Sequence, residues 1–366
     1  MSDATEVFLA KLRSIDALET HAFERLSAMA RAYYAGGSRD EITLRQNRRA
    51  WDEIELWYRV LVDVGLRNTA TSVLGYEVAA PLLIAPTAFH GLAHADAECA
   101  SVKAAARFGT IACVSTLSNV SLERAAAASN RAMWFQLYVY RDRGVTKSLI
   151  ERAESAGYGA IVLTVDAAEI GTREADQDLG FHLPPPLTMG NFKTAERAHL
   201  ERSESDSALS QYVRTLLDPS LTWSDVSWLK QQTKLPIVIK GLVRADDARR
   251  ALDAGASAVI VSNHGGRQLD TSPATAKALP YVVNAIGDQV DVLVDGGIRR
   301  GTDIVKALAL GAKAVLIGRP ALWGLACAGE AGVLHALRLL QGELSEAMAL
   351  CGCPRIETIS SDLLGP

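Results

Sequence analysis

His264 and Arg267, an imidazole and a guanidinium three residues apart, stand in the run Ser262-Asn263-His264-Gly265-Gly266-Arg267-Gln268-Leu269-Asp270. A histidine can move a proton near neutral pH. An arginine can hold a carboxylate by two parallel hydrogen bonds. The glycine pair between them lets the backbone turn tightly and come close to a ligand. The run follows Ala258-Val259-Ile260-Val261, which is short, apolar and β-branched and so reads as a buried parallel strand. Polar residues at the C-terminal end of such a strand are where an α/β barrel keeps its chemistry. A polar loop that only closes a strand would look the same, so the pair needs partners.

The elements that would position such partners recur along the chain. Apolar strand segments lie near 81–86, 110–115, 133–138, 160–166, 235–240, 258–263, 291–295 and 314–318. Helix-period segments separate them, most clearly Ala97–Arg107, Ser121–Ala128, Thr146–Ala156, Ala245–Ala254 and Asp303–Leu310. Strands alternating with helices imply βαβ units, and eight of them imply a closed (β/α)8 TIM barrel in the α/β class. One domain over 1–366 is expected. Residues 1–75 form a helical cap, with helices near Ala22–Ala32 and Leu44–Trp51, and 76–366 form the barrel. The gap after the fourth strand is too long for one helix and predicts a lid loop at about 175–215, with a charged, serine-rich stretch from Lys193 to Ser210.

The strand ends carry polar groups. They are Pro86-Thr87-Ala88, Ser115, Gln136 and Tyr138, Thr164 and Asp166 with Arg173 beyond, Lys240, Ser262, Asp295-Gly296-Gly297 with Arg299, and Gly318-Arg319. Stability alone favours apolar residues there, so convergence on one mouth points to function. Glycines followed by arginines after the seventh and eighth strands suit a phosphate cradle. Neither GxGxxG nor a Walker sequence is present, which argues against a classical dinucleotide site. Lys240 ends an apolar strand and needs a negative partner, either an anionic cofactor ring or a carboxylate such as Asp295.

Composition narrows the classes. The 366 residues are 49% hydrophobic with a net charge of -4, which supports a large core and gives no electrostatic footprint for nucleic acid. The odd count of five cysteines reads as small core residues in a reducing compartment, and Cys351-Gly352-Cys353 reads as a turn. His90 and His94 stand at helical spacing without the glutamate of a zinc helix, so no metal is expected. No basic leader or membrane-length apolar run is visible, and a cytoplasmic protein without membrane contact is expected.

Taken together, the chain resembles the FMN-dependent 2-hydroxy-acid oxidase and dehydrogenase family. The resemblance rests on YYAGG at 33–37, IAPTA at 84–88, FQLYVYRD at 135–142, LTVD at 163–166, SNHGGRQLD at 262–270, DGGIRRGTD at 295–303 and IGRP at 317–320. It implies FMN as cofactor, a small (S)-2-hydroxy acid and O2 as partners, H2O2 as product and a homotetramer. His264 would be the base, and Asp166 would hold its imidazole. Arg173 and Arg267 would bind the substrate carboxylate, with the Tyr33 and Tyr138 hydroxyls beside it. Lys240 would sit by the flavin N1–C2=O edge. Pro86, Thr87, Ala88, Ser115, Gln136, Thr164 and Ser262 would line the isoalloxazine and ribityl chain. Asp295, Gly296, Gly297, Arg299, Gly318 and Arg319 would hold the ribityl and phosphate groups. The chain departs from the family at Ala167-Ala168-Glu169 and Thr172, and at Leu117, where plant-type members carry tryptophan. Ala88 is the oxidase-like choice. The rival readings are a dehydrogenase passing electrons to a quinone, and a non-redox phosphate barrel with Lys240 as a Schiff-base lysine.

Overall fold

The computed structural model describes residues 3–192, 199–201 and 207–365. Helices α1 (Asp3–Lys11), α2 (Ile15–Arg25), α3 (Ala28–Ala35) and α4 (Ile42–Asp52) form the cap. The single helix expected over 22–32 is broken in two. Leu26 is extended, and the Ser27 hydroxyl accepts from Ala30 N, so a serine cap starts a new helix there. A hairpin also lies across the expected boundary at 75. Strands β1 (Thr71–Val73) and β2 (Tyr76–Val78) pair antiparallel around Leu74 and Gly75. Both turn residues have positive φ, 47° and 79°, as a tight two-residue hairpin turn requires.

The barrel strands are β3 (Leu82–Ile84), β4 (Cys113–Ser115), β5 (Trp134–Leu137), β6 (Ala160–Thr164), β7 (Ile237–Leu242), β8 (Ala258–Val261), β9 (Asp291–Asp295) and β10 (Ala314–Ile317). All eight expected strands are present, and every registered pairing among them is parallel. β10 pairs with β3, and a single bridge between Ile84 and Ala112 joins β3 to β4 and completes the ring. β7 runs past Lys240, where its register against β8 shifts between Lys240 and Leu242.

Side chains alternate across a strand. Leu83, Cys113, Trp134, Val162, Val238, Ile260, Leu293 and Leu316 belong to one buried cluster inside the ring, while their neighbours pack outward against the helices. Two residues further along each strand direction stand Ala85, Ser115, Gln136, Thr164, Lys240, Ser262, Asp295 and Gly318. The same alternation that fills the interior therefore aims a polar layer inward at the C-terminal mouth.

The helices between strands are α5 (Ala97–Phe108), α6 (Leu122–Ala127), α7 (Arg143–Ser155), α10 (Trp223–Gln232), α11 (Ala245–Asp253), α12 (Thr275–Ile286) and α13 (Gly301–Ala309). Among the described residues, the expected lid loop contains two more, α8 (Glu174–Asp178) and α9 (Ala208–Leu216), so it is a partly helical excursion. Of its charged stretch 193–210, residues 193–198 and 202–206 lie outside the described residues. The last helix, α14 (Arg319–Cys351), breaks at Ala328 and Gly329 and packs against α5 and α2. It ends at Gly352, which has φ 73°, within the Cys-Gly-Cys turn. Among the described residues, no helix is long and apolar enough to cross a membrane.

Candidate active site

A cleft with about 1190 Å³ of empty space opens at the C-terminal mouth of the barrel. All the expected site residues line it except Asp166 and Ser262. Asp166 lies behind His264, with Oδ1 2.9 Å from His264 Nδ1. Ser262, expected to line the isoalloxazine, stands in the same layer as Lys240 and is buried behind the cleft surface. Its Oγ accepts from Lys240 Nζ at 2.9 Å and from His264 N at 3.1 Å, so it serves those two residues.

His264 has φ 58°, and Gly265 and Gly266 follow at 63° and 77°. Three successive left-handed residues make a compact turn, and a histidine held there marks a place where surrounding structure fixes the backbone. Burial lowers the imidazole's pKa below the ordinary value; Asp166 opposes that, while Lys240 and Arg267 add to it. The ring is therefore neutral at pH 7. Burial alone would raise Asp166, but the imidazole facing it carries its carboxyl below the usual range.

Two guanidiniums flank the buried Tyr33, with Arg267 4.7 Å and Arg173 5.8 Å from its ring centre. Phe181 stacks on Tyr33 at 4.2 Å. Arg173 pairs with the buried Asp176 at 3.3 Å, yet Arg173 Nε and Asp176 Oδ1 have no hydrogen-bond partner among the described residues. Burial, and then Arg267, lowers Arg173 to about 10. Tyr138 also lines the cleft, and burial raises its phenol.

The end of α3 fixes two of these cations. Helix C-termini leave carbonyls without partners. Arg267 Nη1 donates to Tyr33 O and Gly36 O, and Arg319 donates to Tyr34 O and Gly36 O as well as to Gly265 O. Arg319 thus sits among neutral acceptors, and burial followed by repulsion from Arg267 and Arg299 lowers it to about 9. Its three bonds leave two guanidinium hydrogens over. Arg299 Nε is buried with no partner among the described residues, as is Asp295 Oδ1.

Lys240 has the carboxylate partner that sequence left as one alternative. Asp295 Oδ2 lies 3.2 Å from its Nζ. Burial opposes the ammonium charge, but Asp295 and then Asp166 outweigh it and raise the pKa. Such a lysine is a poor Schiff-base nucleophile, because that chemistry needs a depressed pKa. Gln136 organises the adjacent strands: its Nε2 donates to Thr164 Oγ1, and its Oε1 accepts from Ser115 Oγ and Thr116 N. His90, set aside as a metal ligand, is buried between Thr87 Oγ1 at 2.6 Å and Ser101 Oγ at 2.9 Å.

A family model described as FMN-dependent dehydrogenase matches residues 22–366. The chain belongs to the FMN-dependent 2-hydroxy-acid oxidase family. An L-lactate oxidase of Nostoc sp. is 51% identical, with 93% of this chain and 94% of that protein aligned. A 2-hydroxyacid oxidase of Dictyostelium discoideum is 47% identical over 96% of this chain and 89% of that one. A crystal structure of mandelate oxidase with (S)-4-hydroxymandelic acid superposes with a TM-score of 0.91 at 42% identity, covering 94% of this chain and 97% of that chain. The chain is accordingly an FMN-dependent oxidoreductase. The residues present suit that group: a phosphate dianion would meet the spare donors of Arg299 and Arg319, and a ribityl hydroxyl could satisfy Asp295 Oδ1.

Sequence reasoning missed several residues. Gly241 has φ 111°, and a Cβ there would stand 2.6 Å from Asp166 Cγ, so it makes room for that carboxylate. Asp176 and Gln268 are buried partners of the site, and Asn263 pairs amide to amide with Asn47 of α4. Gly241, Gln268 and Asn263 lie in or beside segments already singled out. Asp176 is three residues beyond Arg173, a helical spacing that could have marked it.

Proposed function

We propose that the protein oxidises an (S)-2-hydroxy acid with an apolar side chain to the 2-oxo acid and reduces O2 to H2O2. The observation that carries this reading is the Asp166–His264 pair at 2.9 Å beside two guanidiniums on one cleft. Bound FMN supplies the two-electron acceptor that connects the hydroxy acid to oxygen. Arg173 and Arg267 bind the substrate carboxylate and fix its α-carbon in the cleft. Asp166 holds Nδ1 of His264, which leaves Nε2 to accept a substrate proton. The carboxylate then stabilises the imidazolium. The Tyr33 and Tyr138 hydroxyls, kept protonated by burial, donate to the carboxylate and the reacting oxygen.

Lys240 Nζ, raised in pKa and already paired, keeps a positive charge beside the ring system. Pro86, Thr87, Ala88, Ser115, Gln136 and Thr164 line that ring. Asp295, Gly296, Gly297, Arg299, Gly318 and Arg319 hold the ribityl and phosphate groups. Leu117, Ala167, Ile170, Leu209, Val213 and Leu217 also line the cleft, which supports a substrate side chain larger than glycolate's hydrogen. The named relatives, a lactate oxidase and a mandelate oxidase, fit such a range.

The buried core cluster runs from the cap helices through the barrel helices, which supports one domain over 1–366. We further assign the protein to the cytoplasm and to a homotetramer. The exposed Trp57, Tyr58, Val60, Leu61 and Leu66 support assembly, and the mass in solution tests it. For the reaction, the yellow protein is mixed anaerobically with glycolate, (S)-lactate, longer (S)-2-hydroxy acids and (S)-mandelate, then exposed to air. Flavin bleaching by the apolar acids, followed by rapid recovery with H2O2, is expected. Bleached flavin that persists in air but recovers with a quinone would make the protein a dehydrogenase.

A further inference from the structure

The Asp166–His264 pair joins two loops that have no strand register in common at that level, and one side chain spans the space between them. Gln268 is buried. Its Nε2 donates to Asp166 O at 2.7 Å and to Glu169 O at 2.8 Å, and its Oε1 accepts from Gly171 N at 3.0 Å. Both amide hydrogens and the carbonyl are thus used on one six-residue stretch after β6, the stretch that begins at Asp166 and leads to Arg173. The loop contributing Gln268 also contributes His264 and Arg267. Gly171 seals the contact from the other side, because a Cβ there would stand 2.5 Å from Gln268 O and 2.7 Å from Gln268 Cα.

We propose that Gln268 is a positioning residue whose carboxamide fastens the Asp166–Arg173 loop to the His264–Arg267 loop and so fixes the carboxylate against the imidazole. The inference rests on the acid–base reading of His264 given above. A carboxamide suits the task because only it offers two donors and an acceptor in one plane at this length. Gln268→Glu keeps the shape and the acceptor but sets a carboxylate against two carbonyl oxygens. Gln268→Met keeps the bulk and removes all three bonds. Gly171→Ala leaves Gln268 intact and pushes the loops apart.

The test is anaerobic reduction of each holoenzyme variant by (S)-lactate or the best acid of the panel, with FMN content measured alongside. Gln268→Met and Gln268→Glu should keep FMN and lose about 10- to 100-fold in reduction rate, the scale set by a small misplacement of reacting groups. KM should change far less. The diagnostic readout is a double-mutant cycle with Asp166→Asn, whose penalty should shrink clearly in the Gln268→Met background. A purely structural glutamine would leave that penalty unchanged. Wild-type reduction rates with FMN bound, or a full Asp166→Asn penalty in the Gln268→Met background, would overturn the proposal. If the Gln268 variants fail to retain FMN, Gly171→Ala decides by the same two criteria. If the unaltered protein reduces no flavin with any hydroxy acid, it is the functional reading that falls.

Discussion

At the scale of single residues the proposed chemistry rests on a proton site at His264 and an anion site at Arg173 and Arg267. His264→Ala should retain FMN and carboxylate binding while the reduction rate falls by several orders of magnitude. Stopped-flow traces of flavin bleaching would check this, and a rate near wild type would remove His264 from the base role. The pH dependence has a definite sign. The base must be neutral, and its pKa is lowered by burial against the opposing pull of Asp166, with Lys240 and Arg267 adding to the lowering. Activity should therefore hold through neutrality and fall only below the ordinary histidine pKa, ~6.5. Asp166→Asn removes the neighbour that chiefly favours the imidazolium, so the acid limb of kcat/KM should move lower still while its plateau drops. A limb that moves up would contradict the assigned electrostatics. Arg267→Met should act mainly on KM. The loss has a ceiling on the binding side, because Arg173 flanks the same tyrosine.

At the scale of elements, positions were more legible than ties. The strands and the His264 loop could be read from the sequence because a period of two and a sudden polar run are local signals. Lys240, Asp295 and Gln136 could be placed for the same reason: each stands two residues beyond an interior apolar residue. Gln268 stands in the motif, but its tie to Gly171 could not be read, because the bond joins residues 97 apart and no local pattern links them. The break at Leu26 was missed because a helical period continues across it, and only the Ser27 cap reveals it. Gly241 illustrates how an element enforces a side chain's place. Gly241→Ala should cost about 1–3 kcal/mol of backbone strain and displace Asp166, with stability read by denaturant unfolding and activity by flavin reduction. A second element-level prediction concerns α4. No side chain at its own N-cap bonds to the first turn, but Asp270 of the His264 loop accepts from Thr43 N at 2.8 Å and from Ile42 N at 3.3 Å. Asp270→Ala should cost about 1 kcal/mol, as other lost caps do, and denaturant midpoints would show it.

At the scale of the whole molecule, cap and barrel are held together through charges that also belong to the site. Arg319 and Arg267 reach the carbonyls at the end of α3, Lys306 Nζ donates to Trp51 O, and Trp51 Nε1 donates to Gly296 O. Burial lowers the pKa of Arg299 and Arg319, and Asp295 Oδ1 has no partner among the described residues, costs that a bound phosphate and ribityl chain would offset. Saturation with FMN at a hundred times its Kd should add about 2.7 kcal/mol, and calorimetry before and after flavin removal would measure the shift in Tm.

The ring of strands is also uneven. Most neighbours share three or four registered residue pairs, whereas β3 meets β4 through one bridge, Ile84 to Ala112, and the hydrogen bond from Ile84 N to Ile111 O. Pro86 and Thr87 lie just past one lip of this joint, and Ser115 lies on the other; all three face the cleft. A flat flavin ring held by these residues would touch both lips at once and act as a rivet across the barrel's thinnest weld. Amide exchange near 82–84 and 111–115 should then be the first to quicken when the flavin is stripped, ahead of the seams between β5 and β9.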